Sequence, residues 1–463
     1  MKKNNLKDQL DSVEEFERQR VPENKLKSWK SFLGMYAGEH TAGTEFVIGP
    51  LFVAHGVTTA DLIFGLLVGN LLAVLSWAFL TGPIAVKERI TLYFLLEKIN
   101  GKKLTTVYNL INALMFCFLA GSMIAVSATA VGIPFGLQMP TLNDWMPNSL
   151  GWIAAVIVVG ALTTIVAMFG YNVVSKVANI AAPWMILVFI SAAISVLPNL
   201  GINSFSEFWT KADHSIWTGN PLAGQSKFNF WHIMFFAWFA NMAMHIGMAD
   251  LSILRYAKKW YYGFNSAAGM FIGHYIAWIA SGILYALFLK ETNFSSEFAP
   301  GPIAYRAAGF AGALTVIIAG WTTANPTIYR AGLALQAIRP QWKTWKVTMV
   351  VGIITTIASM FPALVMKLLD FVALYGLILM PMGAIIMMDV YIIPKLKLKR
   401  YYAETFKKSF NIAAALSWGL TLLFSLFLNF YFGIEIFFLG LPGWFIAALI
   451  FLVGSYFIQK KLN

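Results

Sequence analysis

Residues 34–45 read Gly34-Met-Tyr-Ala-Gly38-Glu39-His40-Thr41-Ala42-Gly43-Thr44-Glu45, and Gly49-Pro50 follows them. They lie inside the first long apolar run of the chain. The sixth run contains a comparable stretch, Trp238-Phe-Ala-Asn241-Met-Ala-Met-His245-Ile-Gly247-Met-Ala-Asp250. Glycine, asparagine and small polar residues allow a helix to unwind there and to expose backbone carbonyl and N–H groups. We therefore predict a break in both helices; the alternative is that the glycines only allow close helix packing.

The composition predicts an all-α membrane protein. Of the 463 residues, 59% are hydrophobic and only 12% are charged, whereas soluble proteins carry about 25% charged residues. The apolar runs are about 20 residues long, which is the length of a membrane-spanning helix. The formal net charge of +13 could indicate a nucleic-acid partner. The basic residues lie in short loops instead, so we expect the lipid bilayer and no nucleic acid as partner.

Twelve spanning helices account for the apolar runs. Residues 1–29 form a charged tail, and residues 30–463 form a single transmembrane domain. The predicted spans lie near 30–56, 60–84, 105–133, 150–170, 176–198, 229–253, 263–289, 309–334, 345–365, 369–393, 411–431 and 436–458. Loop 134–149 has no Lys or Arg, and loop 199–228 has only Lys211 and Lys227. This asymmetry predicts a multi-pass protein of the plasma or inner membrane with both termini in the cytoplasm.

Polar side chains inside the spans indicate a bound cation. Glu39, His40 and Glu45 fall within the first span, where each ionised carboxylate costs about 2.5–3.5 kcal/mol. A coupled Na⁺ or proton would compensate for this cost; the alternative is a water-filled vestibule or a partner on another helix. The eighth span contains Thr322-Thr323, followed by Ala-Asn-Pro326. Hydroxyl and carbonyl oxygens suit Na⁺, although threonine also bonds within its own helix.

Together with these stretches, several others carry a resemblance to a known family. They are Asp61 with Leu67-Leu-Val-Gly-Asn70, Met248-Ala-Asp250 leading to Arg255 and Tyr256, Gly320-Trp-Thr-Thr323, and Pro381-Met-Gly383 continuing to Asp389 and Tyr391. In these the chain resembles the nucleobase–cation symporters of the purine and cytosine permease type, over nearly its whole length after the tail. The resemblance implies a five-plus-five inverted repeat (30–198 and 229–393) with discontinuous helices 1 and 6, followed by two further helices (411–458). It also implies alternating access and import of a nucleobase-like planar heterocycle with Na⁺.

The same resemblance implies two groups of site residues. Sodium would be held by the backbone carbonyls of Glu39, Ala42 and Ala319 and by the hydroxyls of Thr322 and Thr323. The expected solute-binding residues are Gly43, Thr44, Glu45, Phe116, Trp238, Asn241 and Asn325, with Phe116 and Trp238 as stacking residues. Phe116 replaces a glutamine of the family pattern and Ala324 an amide, so the resemblance does not identify the heterocycle.

Two other functions compete with this one. One is a Na⁺- or H⁺-coupled transporter of a different small organic solute, such as an amino acid, because fold does not fix substrate. The other is a membrane enzyme that uses His40 or His245 with a carboxylate. The six histidines are scattered and no HExxH, GxSxG or phosphate-loop pattern occurs, so we expect no enzyme. We also expect no cofactor beyond the coupling ion and no obligate protein partner.

Overall fold

A computed structural model describes residues 6–43, 45–137, 139–140, 144–291, 299–363 and 368–462. Every regular element among these residues is a helix. The α-helices are α1 (Leu6–Asp11), α2 (Trp29–His40), α3 (Glu45–Ala54), α4 (Thr59–Ser76), α5 (Gly82–Glu88), α6 (Leu92–Asn100), α7 (Lys102–Val131), α8 (Leu150–Met168), α9 (Gly170–Val196), α10 (Phe205–Ser215), α11 (Phe230–Phe239), α12 (Met242–His245), α13 (Leu251–Leu254), α14 (Ile276–Glu291), α15 (Pro300–Ile338), α16 (Thr344–Ser359), α17 (Leu368–Met387), α18 (Tyr402–Thr405), α19 (Ile412–Phe432) and α20 (Ile436–Lys460). Three π-helical segments, Trp77–Thr81, Ala268–Tyr275 and Met388–Ile392, extend or precede them.

Eight helical stretches of the described chain are long and apolar enough to cross a membrane. They are Thr59–Glu88, Lys102–Phe135, Leu150–Met168, Gly170–Leu200, Trp260–Glu291, Leu374–Ile392, Ile412–Phe432 and Ile436–Lys460. Three apolar helices are shorter, Glu45–Ala54, Phe230–Phe239 and Thr344–Ser359. The protein is therefore an all-helical, multi-pass membrane protein, as predicted. The count of twelve spans and the inverted repeat remain predictions.

Side-chain caps fix where several helices begin. The Thr58 side chain accepts a hydrogen bond from the Asp61 amide at the start of α4. Ser149 accepts one from the Trp152 amide at the start of α8. Such caps satisfy backbone donors that have no partner within the helix. The helix boundaries thus follow from local sequence.

The first predicted span is interrupted. Helix α2 ends at His40 and α3 begins at Glu45; the intervening Thr44 lies outside the described residues. A Cβ atom on Gly43 would lie 2.7 Å from Cγ1 of Val126. Glycine at this position therefore allows the unwound segment to approach α7 closely.

The sixth predicted span is interrupted as well. Its helices α11, α12 and α13 are separated at residues 240–241 and 246–250. Met248 lies in the second gap with a φ of 64°. Residues other than glycine rarely adopt this backbone conformation, and those that do cluster at functional sites. Breaks in both spans were predicted from the small and polar residues, and the structure contains them.

Long helices surround the first break. Helix α15 lies along α7 and also contacts α2, while α2 packs against α9 and the π-helical segment Ala268–Tyr275. Helix α14 packs against α3. The unwound residues 41–43 therefore lie among long helices, with Gly43 next to Val126 of α7 and Gly320 of α15.

The segment before the first span packs on the helices. Arg18 forms a bidentate ion pair with Glu97, with both N···O distances 2.7 Å. Asp11 accepts hydrogen bonds from Lys343 at 2.9 Å and from Trp345 Nε1 at 2.8 Å, and these bonds lower the pKa of the Asp11 carboxyl below its usual value. This segment is thus held against α6 and the start of α16, which lie far from it in sequence.

Candidate functional site

A small cavity lies beside the first break. Its lining residues come from both interrupted spans, from the π-helical segment Ala268–Tyr275 and from α7, α14, α15 and α17: Glu39, His40, Ala42, Glu45, Ile48, Leu119, Met123, Ala240, Asn241, Met244, His274, Trp278, Thr323, Thr327 and Tyr375. Its volume is about 60 Å³, whereas pockets that hold small organic ligands measure about 300–1,000 Å³. Binding of a planar solute at this position therefore requires the lining helices to move apart.

Three of the five predicted sodium ligands, Glu39, Ala42 and Thr323, line this cavity, and Ala319 and Thr322 lie beside Thr323 on α15. The Thr323 hydroxyl lies 3.0 Å from the Glu39 carbonyl oxygen and 3.1 Å from that of Ala319. The Thr322 hydroxyl lies 3.2 Å from the Ala319 carbonyl and 2.9 Å from that of Ile318. Ala42 lines the cavity beside Glu39 and Thr323. Carbonyl and hydroxyl oxygens are the ligands that a hard cation prefers. Here both threonine hydroxyls donate to carbonyl oxygens.

A buried ion cluster lies next to these carbonyls. We define the central cluster as Glu39, Asp250 and Arg330. Arg330 donates to Glu39 at 2.5 and 3.1 Å and to Asp250 at 2.6 Å. Asp250 also accepts from Trp77 Nε1 at 2.6 Å and from the Tyr36 hydroxyl at 3.1 Å. Two carboxylates share one guanidinium, so the cluster carries a formal charge of −1 when both are ionised.

A second acidic group stands on the opposite side of the break. Glu45, the first residue of α3, is 1% exposed. Its carboxylate accepts a hydrogen bond from Trp278 Nε1 and lies 3.6 Å from His274 Nε2. The His274 and Trp278 rings stack with centroids 4.3 Å apart. His274 belongs to a π-helical segment, a feature that is frequent at functional sites.

The predicted solute-binding residues divide into two sets. Glu45 and Asn241 line the cavity, and Gly43 adjoins it in the unwound segment; Thr44 lies outside the described residues. Phe116 is fully buried behind the cavity residue Tyr375, with ring centroids 5.3 Å apart.

The remaining two predicted residues do not line the cavity in this conformation. Trp238 donates from its ring nitrogen to Ser76 at 3.1 Å and stacks on Phe239. Asn325 is 1% exposed and its amide has no hydrogen-bond partner among the described residues. The roles of all seven predicted residues in solute binding stay predictions.

Sequence reasoning missed four residues of this site. Arg330, His274, Trp278 and Tyr375 were not singled out. Arg330 and His274 lie inside the predicted spans 309–334 and 263–289, and an ionisable residue within a span is itself a sign of function. That signal could have found both residues, but not their partners.

A second buried cluster joins the N-terminal segment to the helices. We define the N-terminal cluster as Glu15, Arg255, Tyr256 and Tyr329. Glu15 accepts from Tyr329 at 2.5 Å and from Tyr256 at 2.9 Å, and lies 3.5 Å from Arg255. Glu15 is 2% exposed although it belongs to the predicted tail. Tyr329 and Arg330 are neighbours on α15, so one helix serves both clusters.

Interrupted spans beside a buried cavity are typical of membrane transporters. The comparison with known structures agrees with this class. The transporter Mhp1, of the nucleobase-cation-symport-1 family, in a closed conformation with bromovinylhydantoin bound, matches with a TM-score of 0.70 and 14% identity over 97% of each chain. The predicted resemblance to nucleobase–cation symporters is therefore confirmed for the fold.

Transporters of other solutes share the fold. A Na⁺-coupled sialic acid symporter matches with a TM-score of 0.63 and 15% identity, over 96% of this chain and 90% of that one. A mutant manganese transporter from Eremococcus coleocola matches with a TM-score of 0.58 and 11% identity, over 98% and 99%. No family model and no curated protein matches the sequence. At these identities the likeness establishes the fold and leaves the solute open.

Proposed function

We propose that this protein is a secondary active symporter that imports a nucleobase or a related planar heterocycle together with Na⁺ by alternating access, with both termini in the cytoplasm. One observation carries the proposal: the broken first span leaves the Glu39 carbonyl within 3.0 Å of the Thr323 hydroxyl, at the wall of a buried cavity. Backbone oxygens and hydroxyls at mid-span are the groups that hold coupling ions in broken-helix transporters.

Sodium binding at this wall would link the two halves of the site. The carbonyls of Glu39 and Ala42 belong to the first span, whereas Ala319, Thr322 and Thr323 belong to α15. An ion that takes ligands from both elements holds them together and favours one conformation over the other. Solute binding beside the same break then becomes coupled to the ion, because both ligands stabilise the same arrangement.

The sodium site can be tested by Thr322→Ala combined with Thr323→Ala. We expect wild-type protein to unfold at a higher temperature in NaCl than in KCl of equal concentration, because a ligand that binds only the folded state stabilises it. The double variant should lose this difference and remain folded. Thr315→Ala is a matched control, since Thr315 is a buried threonine of the same helix that bonds only to the Ala311 carbonyl among the described residues.

If the double variant still unfolded at a higher temperature in NaCl than in KCl, by the same margin as the wild type, the proposed sodium site would be wrong. Serine at both positions keeps the hydroxyls and should retain the sodium effect. A proton as the coupling ion would instead give solute accumulation that follows the pH gradient and is indifferent to Na⁺.

Besides the predicted stacking residues Phe116 and Trp238, we propose Trp278 as a stacking residue, and the two tryptophans can be compared. Trp278 lines the cavity, whereas Trp238 donates to Ser76 behind it. We expect Trp278→Ala to weaken binding of a transported base by about 1–3 kcal/mol, the scale of base–aromatic stacking. Trp238→Ala tests the sequence prediction in the same binding titration. A wild-type affinity in either variant assigns that ring to packing.

A further inference from the structure

A second and larger cavity lies away from the two breaks. Its volume is about 540 Å³, within the range of about 300–1,000 Å³ of pockets that hold small organic ligands. One wall is formed at the ends of α3 and α11 that are farther from the breaks, and the other by α17, α19 and α20. This second cavity shares no lining residue with the cavity beside the first break. The two are therefore separate places for a ligand.

Aromatic rings form one side of the second cavity. Phe228 stacks on the His55 ring with centroids 3.8 Å apart. Phe437 packs edge-on against Phe228 and Phe236, with centroid distances of 6.1 and 5.9 Å. All four residues line the cavity. Such rings bind the apolar body of a ligand, and their faces attract a cation.

The polar groups of the second cavity offer hydrogen-bond acceptors. Glu435 is half-buried, and its side chain neither caps α20 nor forms an ion pair with the described residues. Asn429 donates from Nδ2 to the Ile434 carbonyl at 2.8 Å, which leaves its Oδ1 as an acceptor. Nδ1 of His55 lies 2.7 Å from the Ser226 carbonyl. Since a carbonyl only accepts, Nδ1 carries the proton and Nε2 of the neutral ring is an acceptor.

The charge of the second cavity comes from Glu435 alone. No Lys or Arg of the described chain lines it. An anionic ligand would meet like charge, and a purely apolar one would leave the acceptors unpaired. A protonated amine brings the opposite charge together with N–H donors, which form the stronger, charge-assisted hydrogen bonds. The lining therefore favours a ligand that combines an ammonium group with an apolar body.

We infer that the second cavity is a binding site for an organic ammonium compound with an aromatic body, whose positive charge pairs with Glu435. The inference goes beyond the proposed function, because this site lies apart from the cavity at which solute and ion are proposed to bind. The ligand contacts parts of both broken spans, through Phe236 of α11 and through Leu51 of α3, and joins them to α19 and α20.

Three compounds with the same phenylethyl body test the inference. At pH 8, 2-phenylethylamine is a cation, 2-phenylethanol is neutral and 3-phenylpropionate is an anion. An imidazole with an ordinary pKa of about 6.5 is neutral at this pH, so His55 adds no charge of its own. The purified full-length protein is titrated with each compound, and thermal unfolding reports binding, since bound ligand raises the unfolding temperature.

We expect the amine to bind about tenfold or more tightly than the alcohol, because a hydrogen bond to a charged group contributes more than a neutral one. The propionate should not bind. Glu435→Gln keeps the size of the side chain and should reduce the advantage of the amine to less than about threefold. Glu207→Gln is the control, because Glu207 lies on α10 and does not line the cavity.

A second variant fills the space instead of removing the charge. Leu426 lines the cavity and is half-buried, so Leu426→Trp should abolish binding of the amine. Both variants should unfold near the wild-type temperature when no amine is present. The inference would be wrong if 2-phenylethylamine did not raise the unfolding temperature of the wild type, or if 3-phenylpropionate bound as tightly. Wild-type affinity for the amine in Glu435→Gln or in Leu426→Trp would also overturn it.

Discussion

Each of the two buried clusters contains one arginine, but the number of carboxylates that face its positive charge differs. In the central cluster, Arg330 is shared by Glu39 and Asp250, and the surrounding carbonyls and carboxylates make the region negative. In the N-terminal cluster, Arg255 meets one carboxylate, Glu15, together with two tyrosine hydroxyls. With both carboxylates ionised, the first arrangement carries a net charge of −1 that a cation would neutralise, whereas the second pairs one arginine with one carboxylate. The comparison leads us to propose that the central cluster serves ion binding and that the N-terminal cluster attaches the segment before the first span.

The clusters also differ in how they are anchored. Every member of the central cluster lies on a helix of the broken-span core or at its end. Glu15 lies in an irregular segment between α1 and the first span. Arg255 has further acceptors in the carbonyls of Phe16 and Ser252, at 3.0 and 2.9 Å. Loss of Glu15 should therefore cost less than loss of Arg330.

The largest effect is expected from Arg330→Met. It leaves the buried carboxylates of Glu39 and Asp250 without their cationic partner, and removing one partner of a buried ion pair costs about 3–5 kcal/mol. The variant should show a greatly lowered unfolding temperature or fail to yield monodisperse protein. Arg306→Met is the control, since the Arg306 side chain is 59% exposed and its pair with Glu291 contributes about 0–1 kcal/mol.

Adding Asp250→Asn to Arg330→Met removes one stranded charge and should recover part of the stability. Equal unfolding temperatures for Arg330→Met and Arg306→Met would mean that the central cluster is not the charged network described above.

A smaller effect is expected from Glu15→Gln, about 1–3 kcal/mol, because Arg255 loses a charged acceptor but keeps its carbonyls. The unfolding temperature should fall by less than in Arg330→Met. The adjacent Glu14→Gln is a close control, since the Glu14 side chain is 67% exposed. Equal unfolding temperatures for Glu15→Gln and Glu14→Gln would mean that Glu15 does not stabilise the protein.

The smallest effect is expected from Glu39→Gln, which removes the surplus negative charge and keeps one acceptor toward Arg330. Stability should fall by no more than in Glu15→Gln, because Asp250 still pairs with Arg330, and Na⁺ should bind roughly three- to tenfold more weakly, because a charge a few ångströms from the ion is lost. Sodium titration of the unfolding temperature measures this, with Glu291→Gln as control. A sodium affinity that did not change would separate the central cluster from ion binding.

The sequence predicted what local composition determines. The membrane class follows from the apolar runs, and the breaks follow from the glycines near residues 38–43 and from Asn241 and Gly247. The proximity of Glu39, Ala319 and Thr323 came from the family resemblance, which aligns two distant helices. The apolar runs and the breaks can be recognised from local sequence, and the proximity of the two helices can be recognised from several matching motifs.

The partners of the charged residues could not be predicted in this way. Arg330 is 291 residues from Glu39, and Trp278 is 233 residues from Glu45. Nothing in the local sequence specifies which of the ionisable side chains in the spans meet. Glu15 was assigned to a charged tail because its neighbours are polar, and only the tertiary packing buries it against Arg255 and Tyr329.

Gradient-driven uptake tests the central claim, that the broken spans bind an ion and a flat solute together. Proteoliposomes are given an inward Na⁺ gradient or an equal K⁺ gradient, and accumulation of a labelled base that stabilises the purified protein is followed. We predict accumulation above the external concentration only with the Na⁺ gradient, and its loss in the Thr322→Ala, Thr323→Ala variant. Equal accumulation in K⁺, or conversion of the base without accumulation, would contradict the account.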